Sequence, residues 1–135
     1  MAKEERVSGS SLSVLSGKEL ALRCAELLDE KRVRDLIIFH VGPILQIVDY
    51  FLIGTGSSPR HIQRTADYLM EKLSEYGLKP YGMEGYEQGR WVLLDYGDVV
   101  VHLMLQEARQ YYSLELLWGD CKRIAWKGEG EEAKQ

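Results

Sequence analysis

The chain has 135 residues, of which 45% are hydrophobic and 28% charged, and its formal net charge is −4 at pH 7. This length fits one domain that buries roughly two-thirds of its unfolded surface, and the apolar content excludes a disordered chain. No uncharged apolar run approaches the ~20 residues of a membrane helix, and the charged start of the chain lacks the apolar stretch of a secretory signal. Mild acidity is not typical of proteins that coat nucleic acids.

The two cysteines indicate a reducing, cytoplasmic setting rather than a disulfide framework. Cys24 falls on the apolar stripe of a predicted helix, where a free thiol is a common core residue, and Cys121 follows a Gly-Asp turn. Neither belongs to a Cys-x-x-Cys or Cys/His pattern of metal-site spacing, so we predict no metal and no cofactor.

The first predicted element is a helix that follows a flexible segment at residues 1–15. Ser16 and Glu19 have the spacing of a capping box, and apolar residues follow at helical intervals. Two strands come next, at residues 33–41 and 49–53, and the first of them is an apolar run typical of a strand covered on both faces.

A loop at residues 54–58 closes the second strand and leads into a second helix. Ser58 is the predicted N-cap of this helix, and Pro59 takes its first position, where the missing N–H costs nothing. Gly77 follows the end of the helix. Residues 81–89 are rich in Gly and Glu and predict another loop.

A hairpin follows, with strands at residues 91–95 and 99–105 around a tight turn. A short third helix is predicted at 110–118, and one side of it carries Tyr111, Leu114 and Trp118. Residues 127–135 predict a flexible tail. The order of elements indicates one α/β domain at residues 16–126, with a small mixed sheet flanked by helices. Strands joined through a helix should run parallel, and the hairpin antiparallel.

The Gly- and Ser-rich segment 54–58 leaves two interpretations open. Backbone N–H groups at a helix N-terminus attract anions, and this segment is followed by Arg60, His61 and Arg64. The segment lacks the lysine of a P-loop and the third glycine of a dinucleotide motif, and similar turns occur for backbone reasons alone. The functional alternative is a small Mg²⁺-dependent, nucleotidyltransferase-like enzyme that uses this loop. Its metal would need paired carboxylates, and the available acids are Asp49, Asp95 and Asp98.

The remaining nucleophiles and bases do not predict catalysis. The three histidines form no triad pattern with a serine or a cysteine, and no serine lies in a Gly-x-Ser-x-Gly motif. His102 is embedded in the apolar run at 99–105, which favours a core or edge histidine over a general base.

Residues 81–120 combine acidic and aromatic side chains. The segment carries seven acidic residues against two basic ones, interleaved with Trp91, Tyr96, Tyr111 and Tyr112. Aromatic residues are enriched at interface hot spots, and surrounding acids would attract a basic partner. The same pattern also fits core aromatics with solvated acidic turns, so the residues alone do not decide between the two.

Three blocks of the sequence resemble one family. Residues 49–61 are similar to the Asp-Tyr, Thr-Gly-x-Ser-x-Arg-His segment of the ribosomal silencing factor (Iojap) family. Glu84-Gly85 and residues 91–102 match its most distinctive block, and residues 111–118 match its closing helix. The similarity covers about residues 20–118 in order.

The resemblance implies a non-enzymatic protein that binds the large ribosomal subunit through ribosomal protein L-fourteen. It would block joining of the small subunit and so repress translation. The family fold is similar to that of nucleotidyltransferases, and members are often homodimeric when free. Carried over by motif, the partner-facing residues are Trp91, Leu93, Asp95, Tyr96, Asp98, Glu107 and Tyr112. Trp91 and Tyr96 would form an apolar anchor, and Asp95 and Asp98 would pair with basic side chains of the ribosomal protein. Because the sequence has no apolar run of membrane-helix length, we expect no membrane partner. The acidity argues against direct binding of RNA.

Overall fold

A computed structural model describes residues 15–126 and shows a six-stranded mixed sheet. Both predicted flexible segments lie outside the described residues, apart from Leu15, which packs against the core. In chain order the elements are α1 (Gly17–Glu30), β1 (Arg34–His40), α2 (Gly42–Leu45), β2 (Tyr50–Gly56), α3 (Pro59–Ser74), β3 (Gly82–Glu84), β4 (Trp91–Asp95), β5 (Val99–Leu105), α4 (Gln106–Tyr112), α5 (Leu114–Leu117) and β6 (Lys122–Ile124).

Helix α1 confirms the predicted capping box and apolar stripe. The Glu19 backbone N–H donates to Ser16 Oγ at 3.1 Å, and the Ser16 backbone N–H donates to Glu19 Oε1 at 2.8 Å. Cys24 is fully buried on the stripe, and this burial raises the pKa of its thiol to about 12. Cys24 is therefore a core residue without a reactive thiolate at neutral pH.

The two central strands of the sheet, β2 and β5, run parallel. The strand order is β3-β4-β5-β2-β1-β6, and every other neighbouring pair is antiparallel. The mixed sheet and the β4–β5 hairpin are confirmed.

Two edge strands differ from the sequence-based expectation. β3 lies within the predicted loop at 81–89, and β6 follows the last predicted helix. Three residues are too few to show the alternation by which longer strands are found. The prediction that the strand after the second helix runs parallel to the strand before it is wrong for β4. β3 adds one reversal of the chain, so that β5 becomes the parallel neighbour of β2.

The sheet separates two clusters of buried apolar side chains. One face packs against the two long helices, α1 and α3, through residues that include Ile38, Leu52, Val92, Leu94 and Leu103. The opposite face packs against α4 and α5 through a smaller cluster that includes Phe39, Ile53, Met104, Ala108 and Leu114. No helix within residues 15–126 is long and apolar enough to cross a membrane.

The third predicted helix is divided into α4 and α5 by Ser113. This residue has φ +52, in the left-handed region, and its backbone N–H donates to the Arg109 carbonyl at 2.8 Å. Leu114 and Trp118 pack in the same cluster, so the predicted common side is wrong only for Tyr111. Beyond the turn Leu114 enters the core, whereas Tyr111 is 80% exposed.

Candidate protein-binding face

Alternation along β4 places three of the predicted partner-facing residues in one row. Trp91, Leu93 and Asp95 are half-buried and lie on the α4 side of the sheet, while Val92 and Leu94 are fully buried against the long helices. Successive strand residues point to opposite faces, so this separation follows from the pleat. We call the surface formed by Trp91, Leu93, Asp95 and the neighbouring Tyr112 the β4 face.

The Trp91 side chain is held between two other rings. Its indole N–H donates to His102 Nδ1 at 3.1 Å, and its ring centroid lies 4.7 Å from that of Tyr112. Tyr112 is the last residue of α4 and is 50% exposed, so the two rings present a continuous aromatic surface. Phe51 continues the network, because it contacts both His102 and Trp118 edge to face.

His102 is the residue of this site that sequence reasoning missed. The expectation of a core or edge histidine is right about its burial, since the side chain is only 5% exposed, but gives it no role. Burial lowers the pKa of its imidazole to about 4, so the ring is neutral at physiological pH. No signal in the sequence pointed to this contact, because only the strand register places His102 two residues from the strand partner of Trp91.

Asp95 ends β4 and holds the hairpin turn. Its Oδ1 accepts a hydrogen bond from the Gly97 backbone N–H at 2.8 Å. Gly97 has φ +87, a conformation that glycine adopts without strain. The carboxylate remains half-exposed, with further lone pairs for a basic partner.

Asp98 lies at the end of the sheet rather than within the row. A Cβ added to Gly17 would be 3.4 Å from the Asp98 Cβ, which places this acid beside the first residue of α1. Negative charge at this end of the helix complements the helix dipole, so Asp98 stabilises α1. Trp91 and Asp95 are four positions apart along β4, roughly 13 Å, and Asp98 lies beyond Asp95.

Tyr96 does not share the face of Trp91. It is 6% exposed and belongs to the cluster packed against the long helices. Burial raises the pKa of its hydroxyl above its ordinary range, and within residues 15–126 that hydroxyl has no hydrogen-bond partner. Trp91 and Tyr96 therefore do not form the expected joint anchor, because Tyr96 follows Asp95 and takes the opposite side of the sheet.

Helix α4 borders the β4 face through Tyr112, and both α4 and α5 carry further exposed side chains. Glu107 lies in the first turn of α4 and is exposed, as the resemblance requires of a partner-facing acid. Leu116 and Leu117 on α5 are 83% and 68% exposed. The buried Arg109 ties α4 to the sheet, since its guanidinium donates to Thr55 Oγ1 at 2.7 Å.

The Gly54–Ser58 segment is built differently from the predicted loop. Gly54, Thr55 and Gly56 continue strand β2 and are buried, so the expected loop is wrong over these three residues. A Cβ on Gly56 would lie 2.4 Å from Ile62 Cγ1, and one on Gly54 would lie 2.5 Å from a Val33 methyl carbon. These glycines therefore permit close packing of β2 against its neighbours.

Backbone N–H groups at the start of α3 are hydrogen-bonded to side chains of this chain. The predicted N-cap Ser58 is confirmed, because its Oγ accepts from the His61 backbone N–H at 3.0 Å. His61 Nδ1 in turn accepts from the Ser57 backbone N–H at 2.9 Å, and its Nε2 lies 2.6 Å from the Lys31 carbonyl oxygen. Two N–H groups that an anion would use are thus already bonded. Within residues 15–126 no group of three or more His, Cys, Asp or Glu side chains could hold a metal ion.

Comparison with known proteins shows the family to which this chain belongs. A family model described as "Ribosomal silencing factor during starvation" matches residues 15–135. The chain belongs to the ribosomal silencing factor family. It is 39% identical to ribosomal silencing factor RsfS of Halalkalibacterium halodurans over 114 residues, which cover 84% of this chain and 97% of that protein. It is also 39% identical to the Bacillus subtilis protein of the same name over 107 residues, 79% of this chain and 91% of that protein.

Similar proteins occur beyond bacteria, and solved structures share the fold. The mouse protein named "Mitochondrial assembly of ribosomal large subunit protein 1" is 38% identical over 95 residues, 68% of this chain and 42% of that protein. A crystal structure of a Chromobacterium violaceum protein superimposes with a TM-score of 0.75 at 34% identity, over 83% of this chain and 92% of that one. The single α/β domain with a mixed sheet is therefore confirmed as the fold of ribosomal silencing factors.

Proposed function

We propose that this chain binds the large ribosomal subunit through ribosomal protein L-fourteen and prevents the small subunit from joining. The observation that carries the proposal is the β4 face, where the half-buried Trp91, Leu93 and Asp95 lie in one row beside the exposed Tyr112. The family gives the general role, ribosomal silencing, and the name of the mouse relative refers to the large subunit.

Trp91 and Tyr112 supply the apolar centre of the proposed interface. Their rings contact each other and both are partly exposed, which is the arrangement expected of an aromatic anchor that a partner can cover. Leu93, beside Trp91 on the same face, extends this apolar centre along β4. Tyr96 acts indirectly, because its burial supports the hairpin from the other side of the sheet.

Acidic groups supply the attraction to a basic partner. Asp95 lies in the row, Glu84 pairs in register with Leu93 from the neighbouring strand, and Glu107 is exposed on α4. Residues 81–120 contain two basic residues, and one of these, Arg109, is buried. The local surface is therefore more acidic than the sequence count indicates. Asp98, at the end of the sheet, contributes to the field rather than to the row.

Steric occlusion requires no chemistry, so the proposed function is non-enzymatic and needs no metal or cofactor. The alternative of a Mg²⁺-dependent transferase has no comparable support, because Gly54–Gly56 are strand and the start of α3 is capped by Ser58 and His61. We also propose that the protein acts in the cytoplasm, as expected for a relative of the bacterial silencing factors. We extend the proposal to a homodimer of the free protein, which rests on the family resemblance and is tested by light scattering after gel filtration.

Co-sedimentation with isolated large ribosomal subunits tests the proposal. Trp91→Ala should weaken binding at least roughly thirtyfold, the loss expected for an aromatic anchor worth ~2 kcal/mol. Tyr68→Ala is the matched control, since Tyr68 is also a half-buried aromatic residue but lies on α3, across the sheet. Binding of wild-type protein should also lower the yield of joined subunits. Equal binding by Trp91→Ala and wild type would show that the β4 face is not the interface.

A further inference from the structure

The contact between Trp91 and His102 fixes the tautomer of the imidazole ring. An indole N–H can only donate, so His102 Nδ1, at 3.1 Å, must be the unprotonated acceptor. In a neutral imidazole the proton then resides on Nε2. The lowered pKa keeps the ring in this neutral form at physiological pH.

His102 lowers the stability of the folded protein at this position. In register it lies between Ile53 of β2 and Leu93 of β4, and it contacts the ring of Phe51. Its Nε2 is buried and has no hydrogen-bond partner within residues 15–126. An unpaired buried polar group destabilises a protein, so an apolar residue here would favour folding more. The stabilising contact that His102 does make goes to the side chain at the centre of the β4 face.

We propose that His102 is a positioning residue that holds the Trp91 indole in one orientation on the β4 face. The geometry restricts the indole from two sides, because its N–H is bonded to His102 and its ring lies against Tyr112. A side chain that is already fixed loses less conformational freedom when a partner covers it. For its effect on affinity this inference depends on the proposed function, whereas the held indole is a property of the free protein.

Nuclear magnetic resonance of the free protein tests the held indole directly. In wild type, the imidazole nitrogen shifts should show an unprotonated Nδ1 and a protonated Nε2, and the Trp91 indole N–H should exchange slowly with water. In His102→Phe, which keeps a ring but removes the acceptor, this exchange should be at least about tenfold faster. In His102→Asn the side-chain oxygen occupies a position near that of Nδ1, so protection should largely return. The Trp126 indole, which donates to the Leu36 carbonyl at 3.3 Å, is the internal control.

Binding to large subunits completes the test. His102→Phe should weaken binding by about three- to tenfold, and His102→Asn should recover most of the loss. A protonated Nδ1 in wild type, or unchanged Trp91 exchange in His102→Phe, would overturn the positioning role whatever the subunits do. Faster exchange with unchanged affinity would overturn its part in binding. Failure of wild type itself to co-sediment would instead refute the proposed function, and the indole measurement would be unaffected. If His102→Phe does not fold, the tautomer of His102 in wild type still tests whether its Nδ1 accepts the hydrogen bond from the Trp91 indole.

Discussion

Acidification is expected to destabilise this protein through His102. The ordinary pKa of histidine is 6.5, and burial lowers that of His102 to about 4. As the pH falls below 6.5, the unfolded chain takes up a proton that the folded protein does not accept. Stability present at neutral pH is therefore lost between pH 6.5 and pH 4, and below pH 4 both states are protonated and this loss stops.

The size of the effect follows from the two pKa values. They differ by about 2.5 units, and each unit corresponds to ~1.4 kcal/mol, so His102 alone should lower the free energy of unfolding by about 3 kcal/mol. The side chain is 5% exposed, so solvent screening reduces this value little. A small domain has a free energy of unfolding of roughly 5–15 kcal/mol, which makes the loss a large fraction of the total.

Urea denaturation of wild type and His102→Asn across this pH range is the assay. Other titrating groups, including the carboxylates, are common to both proteins, so the difference between the two free energies of unfolding isolates His102. Wild type should lose about 3 kcal/mol more than the variant between pH 7 and pH 4. Parallel curves over the whole range would refute the argument that burial keeps this imidazole neutral.

Two further predictions concern packing and charge. Gly56→Ala should lower the free energy of unfolding by about 1–3 kcal/mol, since the added carbon would lie 2.4 Å from Ile62 Cγ1, whereas Gly82→Ala, with no atom within 4 Å, should have little effect in the same thermal unfolding experiment. Asp95→Asn keeps an oxygen for the Gly97 N–H but removes the charge, so association with large subunits should slow several-fold at low salt and approach wild type at high salt. Glu71→Gln on α3 is its control, and identical salt dependence of all three proteins would contradict a role for Asp95 in attraction.

Local patterns in the sequence predicted the elements whose determinants lie close together along the chain. The capping box of Ser16 and Glu19 and the N-cap Ser58 each depend on residues three apart, and both are present. The β4–β5 hairpin depends on a turn of two residues between long apolar runs. These elements could be predicted because their hydrogen bonds form within one segment.

Features that depend on distant segments were not predictable in the same way. Strands β3 and β6 are defined by pairing with β4 and β1, not by their own three residues. Tyr96 and Trp91 are both aromatic and close in sequence, and only the pleat shows that they lie on opposite faces. The role of His102 depends on a bond between neighbouring strands, which composition does not reveal.

The candidate site was predicted in part. The resemblance supplied Trp91, Leu93, Asp95 and Tyr112, and the structure brings these four together. The resemblance could not show that Asp98 lies apart from these four residues, because a motif gives the order of residues along the chain and not their positions on the surface.

Strand β4 carries two independent sets of constraints within five residues. Val92 and Leu94 are constrained by packing in the interior beneath the long helices. Trp91, Leu93 and Asp95, which alternate with them, are constrained by the partner that covers the opposite side. Substitutions that follow a changing partner can therefore accumulate at every second position without altering the interior. The same interleaving makes the strand intolerant of a change in length, because shifting it by one residue would exchange the two sets at once. Evolution of this surface is thus expected to proceed by substitution within β4 and not by insertion or deletion.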